Sequence, residues 1–255
     1  MIKVKDLRKG FGNVEVLKGI TTTFYPGQTS LIIGQSGAGK TVFLKSLIGL
    51  HIPESGTISF DGRINTKFTI EEKMQWRQEI GMVFQGGALF DSQTVEENVM
   101  FPLKMFTKQS QKDMLKRVNF VLDRVNLENS NDKLPAELSG GMQKRVAIAR
   151  AIVMNPKYLF CDEPNSGLDP QTATVIDNLI KEITEEYKIT TVINTHDMNS
   201  VMEIGEKILF LKDGKKEWEG NSDEMFKTDN EAVVGFVYSS NLFKKVREAY
   251  LKETK

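Results

Sequence analysis

One stretch constrains this 255-residue chain more than any other, namely IIGQSGAGKT at residues 32–41. The run TSLII (29–33) is rich in β-branched and apolar residues and predicts a buried strand. The following TVFLKSLIGL has apolar residues at helical spacing. A glycine-rich loop between a strand and a helix presents backbone N–H groups at a helix N-terminus, where anions bind. The spacing G-x-x-x-x-G-K-[ST] therefore predicts a phosphate site.

Each residue type in this loop suits a nucleotide phosphate. Glycines allow the backbone to approach the phosphates closely, because a Cβ would block that approach. Lys40 would neutralise β- and γ-phosphate charge, and the Thr41 hydroxyl would ligate Mg²⁺. The alternative is a plain glycine-rich turn. The predicted nucleotide-binding residues of the loop are Gly34, Gln35, Ser36, Gly37, Ala38, Gly39, Lys40, Thr41 and Val42.

Composition narrows the class of protein. Lys plus Arg and Asp plus Glu both number 34, so the net charge is zero, which argues against nucleic acid as the main partner. The single cysteine, Cys161, excludes an internal disulfide and fits a reducing compartment. The charged N-terminus MIKVKDLRKGFG argues against a secretory signal, and no apolar run is long enough to predict a membrane span.

The order of predicted elements indicates an α/β fold. Short strands precede residue 30, strands end near residues 33, 84, 162, 195 and 214, and residues 92–155 are helical in pattern. Alternating strands and helices favour a mainly parallel sheet with both faces covered. We predict an α/β P-loop NTPase (RecA-like) core with an N-terminal antiparallel β part and an inserted α-helical subdomain. Two small lobes are the alternative to one domain with an insertion.

The same pattern predicts domain boundaries. Residues 1–91 and 156–220 would form the nucleotide-binding core, and residues 92–155 the inserted helical subdomain. Residues 221–255 would form a C-terminal extension, which either braces a dimer or packs on its own chain.

Three more strand ends carry polar groups suited to hydrolysis. Asp162 and Glu163 follow the apolar run YLFC, and ligands of open α/β sheets bind at such carboxyl ends. We predict that Asp162 holds Mg²⁺ and that Glu163 is the general base for the attacking water. Gln85, after GMVF, would reach both Mg²⁺ and water, and His196, after ITTVINT, would hydrogen-bond the γ-phosphate. In each case the alternative is an ordinary solvated or structural residue.

A second glycine-rich loop lies in ELSGGMQKRVAIARAIVMNP (137–156) and opens another predicted helix. Ser139, Gly140 and Gly141 there predict a second anion site. Together with the loop at 32–41, CDEPNSGLDP (161–170) and NTHD (194–197), this stretch makes the chain resemble the ATP-binding subunit of an ABC transporter. The resemblance covers residues 2–220.

The resemblance implies a role for each matching position. Residues 34–41 match the Walker A loop, Gln85 the Q-loop, and Asp162 and Glu163 the Walker B aspartate and catalytic glutamate. Residues 138–142 match the signature motif, whose commonest form ends in glutamine rather than methionine, and residues 166–169 match the D-loop. His196 matches the switch histidine. Phe11 lies where the family stacks an aromatic ring on adenine, although a core residue is the alternative there.

The resemblance also implies an assembly. In this family the signature loop of one subunit closes on the nucleotide of the other, so we expect a head-to-tail homodimer with two ATP molecules and Mg²⁺ as cofactors. Integral membrane permease subunits would bind a groove formed by residues 88–106, whose apolar lining would come from Ala88, Leu89, Phe90, Val99 and Phe101. The alternative is that several of these residues belong to the core.

Residues 84–103, FQGGALFDSQTVEENVMFPL, further resemble the Mla/Mce branch, which moves phospholipid in bacterial envelopes. This resemblance implies an Mce-type substrate-binding partner, room for a small regulatory subunit, and a peripheral location on the cytoplasmic face of the bacterial inner membrane. It implies no nucleic-acid partner. The alternatives are an ATPase subunit that imports a small polar solute and a soluble ABC protein that acts on DNA or ribosomes.

Overall fold

The computed structural model describes residues 1–239, 243–247 and 250. Within those residues it contains ten β-strands: β1 Ile2–Phe11, β2 Val14–Phe24, β3 Gln28–Ile33, β4 Ser55–Phe60, β5 Arg63–Ile64, β6 Ile80–Val83, β7 Tyr158–Asp162, β8 Thr190–Asn194, β9 Lys207–Lys212 and β10 Lys215–Gly220. Each predicted strand end at residues 33, 84, 162, 195 and 214 lies within two residues of an observed one.

The α-helices up to residue 239 lie between and after these strands in the sequence. They are α1 Lys40–Leu47, α2 Ile70–Gln78, α3 Val95–Phe106, α4 Gln111–Arg124, α5 Gly140–Ile152, α6 Pro170–Tyr187, α7 Met198–Ile204, α8 Ser222–Lys227 and α9 Glu231–Val237. Across the described part of the chain, no helix is long and apolar enough to cross a membrane.

The chain divides into two compact units. The first contains residues 1–66 and 194–255, and the second contains residues 67–193. The domain boundaries predicted at residues 91, 155 and 220 lie where the secondary-structure pattern changes, whereas these two units are defined by compactness. The predicted boundaries therefore stay predictions.

The first unit contains the antiparallel sheet that the sequence predicts at the N-terminus. Its strand order is β2-β1-β4-β5, and β1 runs antiparallel to both β2 and β4. Alternation at the start of β1 buries Ile2 and Val4, and a register shift between Val4 and Leu7 allows Leu7 to be buried as well. In the same unit β3 pairs in parallel with β9, and β10 pairs antiparallel with β9. The antiparallel part of the predicted fold is therefore confirmed.

The second unit places helices between parallel strands. β6 and β7 pair in parallel, β7 lies between β6 and β8, and α3, α4 and α5 all fall between β6 and β7 in sequence. Each residue of β7 is buried, as expected for a strand covered on both faces. The observed helices therefore confirm the inserted helical part of the predicted fold.

Helix starts in the second unit follow local capping chemistry. Thr94 and Glu97 form a capping box that begins α3, and the Ser110 hydroxyl accepts the Asp113 N–H at the start of α4. Asp169 accepts the Thr172 N–H, and Pro170 occupies the first helical position of α6. These caps fix where each helix begins.

Several elements were not predicted, among them β10 and α2. β10 has the sequence KKEWEG, which lacks the apolar alternation of a half-buried strand, so only its pairing with β9 reveals it. α2 has no apolar stripe, but it begins with a capping box between Thr69 and Glu72 that is visible in the sequence. The spacing of Thr69 and Glu72 is thus a sequence feature that predicts the start of α2.

The described part of the C-terminal extension packs on its own unit. The ring of Phe236 in α9 stacks on that of Phe210 in β9, with centroids 5.2 Å apart. The buried Tyr238 hydroxyl donates to the Met225 carbonyl at 3.0 Å. The helix predicted near the C-terminus lies partly outside the described residues, and the dimer-bracing role stays a prediction.

We predict that the native protein resists thiol labelling. Cys161 in β7 is fully buried, and burial raises the pKa of its thiol, as do the Asp177 and Asp162 carboxylates. A Val175→Cys variant, at a position 40% exposed in α6, provides the matched control. The native wild type should leave DTNB unreacted, whereas urea-unfolded wild type and the native variant should both react. Rapid labelling of the native wild type would show that β7 opens readily.

Candidate functional site

The predicted phosphate loop lies between β3 and α1 in the first unit. Gln35, Ser36 and Gly37 are exposed, whereas Gly34 and Ala38 on either side of them are buried. Gly39 caps α1 from a left-handed conformation with φ 97°, which suits glycine. The loop therefore presents its middle residues to solvent directly before a helix N-terminus.

Gly34 shows why the first glycine of the loop is required. Its φ is +147°, and a Cβ added there would lie 2.2 Å from the carbonyl oxygen of Leu211 in β9. That distance is far inside van der Waals contact, and the obstacle is backbone that cannot rotate away. The path of the loop therefore depends on glycine at this position.

The side chain of Lys40 lies inside the loop that precedes it. Only 9% of the residue is exposed, and its Nζ donates to the carbonyls of Gly34 at 2.8 Å and Gln35 at 3.2 Å. These contacts hold an ammonium group beside the exposed residues of the loop. A positive charge beside helix N-terminal amides fits an anionic phosphate.

Two further predicted residues lie in the first unit. The Thr41 hydroxyl, in the first turn of α1, accepts a hydrogen bond from the Asn194 Nδ2 at 3.2 Å. His196 follows β8 and is exposed. An exposed histidine after a buried strand end is consistent with contact to a ligand rather than with a core role. Its role stays a prediction.

Phe11 ends β1 with its ring 46% exposed, which excludes a core position. The Lys9 ammonium lies 4.9 Å from its ring centroid, and the His51 ring lies 5.2 Å away in an edge arrangement. Burial lowers the pKa of His51, and the charges of Lys45 and Lys9 lower it further, which favours the neutral imidazole. The exposed aromatic ring fits the predicted stacking on a base, which stays a prediction.

The second unit contains the predicted catalytic carboxylates. Asp162 ends β7 and is 9% exposed, and Glu163 follows with φ +49°, an uncommon value for a non-glycine residue. The backbone N–H of Ser166 donates to the Glu163 carbonyl at 3.2 Å. Gln85, two residues after the strand β6, donates through Nε2 to the Ser166 hydroxyl over 3.5 Å. The structure thus brings the Q-loop to the segment that follows Glu163.

The predicted second anion loop begins α5 in the same unit. Ser139 is its N-cap, and the Ser139 hydroxyl accepts the Met142 N–H at 3.3 Å. Ser139 and Gly140 are exposed, whereas a Cβ on Gly141 would lie 2.6 Å from Cγ2 of Thr172. The Gln143 amide donates to the Pro135 and Leu138 carbonyls and holds the preceding segment. The loop is therefore a capped helix N-terminus with an exposed face.

Two cations of α5 hold the Q-loop backbone and were missed by sequence reasoning. Lys144 Nζ donates to the Gln85 carbonyl. Arg150 donates to the Gly87 carbonyl at 2.6 Å and to the Ala88 carbonyl at 2.7 Å. In the sequence these residues look like ordinary charges on an amphipathic helix, and the spacing contains no signal for such distant partners.

The donor set fits a nucleotide with Mg²⁺. Mg²⁺ prefers oxygen ligands and is commonly held by one or two carboxylates together with substrate phosphates. Of the predicted ligands, Thr41 in the first unit has a hydroxyl oxygen, and Gln85 and Asp162 in the second unit have amide and carboxylate oxygens. Their joint role in binding Mg²⁺ stays a prediction. Over the described residues, no group of three or more His, Cys, Asp and Glu is placed so that it could hold a metal ion.

An apolar groove of about 430 Å³ lies elsewhere in the second unit. Ala88, Phe90 and Phe101 line it, and the rings of Phe90 and Phe101 are 4.8 Å apart. Val99 instead is fully buried, so it belongs to the core. Three of the five residues predicted to line a partner groove therefore line this apolar groove, and its occupant stays a prediction.

The sequence profile of the ABC transporter family matches residues 17–166. The chain belongs to the ABC transporter family. It is similar to the methionine import ATP-binding protein MetN of Campylobacter jejuni, at 38% identity over 94% of this chain and 76% of MetN. It is also similar to the probable ribonucleotide transport ATP-binding protein mkl of Mycobacterium leprae, at 41% identity over 78% of this chain. The chain spans 57% of the length of mkl.

Solved structures agree with this assignment. The dimeric structure of MJ0796, a bacterial ABC transporter cassette, is 35% identical to this chain, with a TM-score of 0.79 over 87% of this chain and 99% of MJ0796. A post-hydrolysis state of MJ0796 contains ADP and Pi. The predicted P-loop NTPase fold is thus confirmed, and the chain is an ABC ATPase that uses ATP with Mg²⁺. The roles of individual site residues stay predictions.

We predict that Lys40→Ala weakens the binding of a fluorescent ATP analogue about 10- to 150-fold, because a charge-assisted contact contributes about 1.5–3 kcal/mol. Lys45→Ala, in the last turn of the same helix, is the control and should leave the affinity unchanged. Equal affinities for the two variants would contradict the placement of phosphate beside Lys40.

Proposed function

We propose that this chain is the ATP-hydrolysing motor subunit of an ABC importer for a small polar solute. The observation that carries this proposal is the similarity to MetN, which extends over 94% of the chain and is not confined to the nucleotide motifs. The mkl relative also has a polar solute in its name. Small polar solutes are therefore favoured over lipid as the transported class.

In this proposal residues 34–42 hold the triphosphate. The loop amides and the α1 N-terminus face the phosphate oxygens, and Lys40 neutralises their charge. Thr41, Asp162 and Gln85 would hold Mg²⁺, which neutralises charge that develops on the phosphates. Phe11 would stack on the adenine.

Hydrolysis would depend on Glu163. Its carboxylate would orient the attacking water and accept a proton from it, which is general base catalysis. Gln85 would help to place that water, and His196 would hydrogen-bond the terminal phosphate. The contact from Gln85 to Ser166 supports a coupled arrangement of the Q-loop and the segment after Glu163.

Two copies of the chain would act together. One chain contains one phosphate loop and one signature loop, and we propose that Ser139, Gly140 and Gly141 bind the γ-phosphate of ATP held by the partner subunit. Both loops precede helix N-termini, so each suits an anion. ATP would then stabilise a homodimer, and loss of the shared γ-phosphate would weaken it. The dimeric MJ0796 cassette supports this arrangement.

The apolar groove lined by Phe90 and Phe101 is the proposed docking site for a membrane permease. It is apolar, and Arg150 links it to the Q-loop through the Gly87 and Ala88 carbonyls. Movement of the Q-loop would therefore reach the permease. The chain would lie peripherally on the cytoplasmic face of the membrane that contains the permease.

A second candidate is phospholipid transport. The observation in its favour is the resemblance of residues 84–103 to the Mla/Mce branch. That candidate would add an Mce-type substrate-binding partner, a bacterial inner-membrane location and a small regulatory subunit. The relatives named above carry methionine and ribonucleotide in their names, so we rank this candidate second.

We predict that Glu163→Gln lowers the ATPase rate by about 10²- to 10⁴-fold, because the amide cannot accept the proton. ATP binding and the ATP-dependent dimer should persist, as measured by filter binding and by size-exclusion chromatography with light scattering. Glu185→Gln, an exposed carboxylate in α6, is the control and should retain full activity. Wild-type turnover by Glu163→Gln would refute the base assignment.

We predict that cells lacking this gene take up less labelled methionine or ribonucleotide than the parent strain. The wild-type gene should restore uptake, whereas a Glu163→Gln gene should not, since transport requires hydrolysis. The phospholipid composition of the inner and outer membranes is measured in the same strains. Unchanged solute uptake together with altered phospholipid distribution would favour the second candidate over the first.

A further inference from the structure

Lys144 is a buried cation that none of the proposed roles uses. It lies in α5, five residues after the N-cap Ser139, and is only 7% exposed. A buried ammonium is costly unless it is hydrogen-bonded and faces an opposite charge. Burial in such a place therefore requires partners.

Lys144 has a hydrogen-bond partner in the Q-loop and lies within range of the charge of Glu163. Its Nζ donates to the backbone carbonyl of Gln85. Burial lowers the pKa of Lys144, and the nearby Glu163 carboxylate acts in the opposite direction and raises it. The same ammonium thus contacts the Q-loop and experiences the charge of the predicted general base.

The remaining contacts make this cluster continuous. Gln85 donates from its side chain to Ser166, and the Ser166 N–H donates to the Glu163 carbonyl. Downstream, Arg150 of α5 holds the Gly87 and Ala88 carbonyls. An α-helix is a stiff element with a fixed rise per residue, so displacement of the Ser139 end displaces Lys144 as well.

We propose that Lys144 is a positioning residue that ties Gln85 and Glu163 to the helix that carries the signature loop. This inference rests on the proposed roles of Glu163 and of the signature loop. Closure of that loop on the nucleotide of the partner would move α5, and Lys144 would pass the movement to the base within its own subunit. Lys144 itself touches neither the nucleotide nor the water.

The test compares variants of the full-length chain in steady-state ATPase assays. Lys144→Met removes the charge and the donor, Lys144→Gln keeps a donor without the charge, and Lys144→Arg keeps both. The kcat of Lys144→Met and Lys144→Gln should fall between about tenfold and about a hundredfold, as for a misplaced catalytic group. The KM for ATP should stay within about twofold, and Lys144→Arg should recover most of the kcat.

Arg117→Met is the matched control. Arg117 is also a partly buried cation that donates to backbone carbonyls, but its partners are Ile152 and Val153 at the other end of α5. Its kcat should equal that of the wild type. Thermal melts followed by circular dichroism identify any variant that does not fold. If Lys144→Met does not fold, the kcat of Lys144→Gln is compared with that of Lys144→Arg instead.

Glu163→Gln separates this inference from the proposed function. Combining Lys144→Met with Glu163→Gln should lower the residual rate no further than Glu163→Gln alone, because both changes act through one group. Wild-type kcat in Lys144→Met and Lys144→Gln, with Glu163→Gln inactive, would overturn this inference and leave the proposed function standing. Failure of Lys144→Arg to recover kcat would also overturn it. An active Glu163→Gln would overturn both.

Discussion

The contact between the Lys40 ammonium and the carbonyls of its own loop is the interaction on which the phosphate site depends. It places a charge beside the exposed residues of the loop before any ligand arrives. That arrangement requires the loop to follow one path, and Gly34 sets the path because a Cβ would meet the Leu211 carbonyl. A site prepared in this way needs little reorganisation when a phosphate binds, which is why the loop suits a nucleotide.

The second unit has a different design, in which cations act on backbone rather than on a ligand. Lys144, Arg150 and Arg117 all donate from helices to carbonyls that lie in other segments. Carbonyls in loops and at helix ends lack the partners that helix interiors and strands provide, so these cations satisfy them. Lys144 and Arg150 thereby limit the movement of the Q-loop. The elements that surround Glu163 are thereby connected through α5, which gives the unit a means of linking one loop to another.

The apolar groove is connected to the Q-loop through Ala88 and Arg150. Arg150 holds the Ala88 carbonyl, and the Ala88 side chain lines the groove beside Phe90. A partner that presses on the groove would therefore act on the same backbone that Arg150 fixes. Coupling between the nucleotide site and a permease requires a connection of this kind, whichever solute is transported.

The sequence by itself determined the fold class and the candidate site residues, because glycine spacing, strand ends and helix caps are local properties. It located the phosphate loop, Gln85, Asp162, Glu163 and the loop at Ser139, and it missed β10 and α2. Only the tertiary structure decided that Lys144 meets Gln85, that His51 lies against Phe11, and that Val99 is core. These contacts join residues far apart in sequence, and no periodicity encodes such partners, since packing alone selects them.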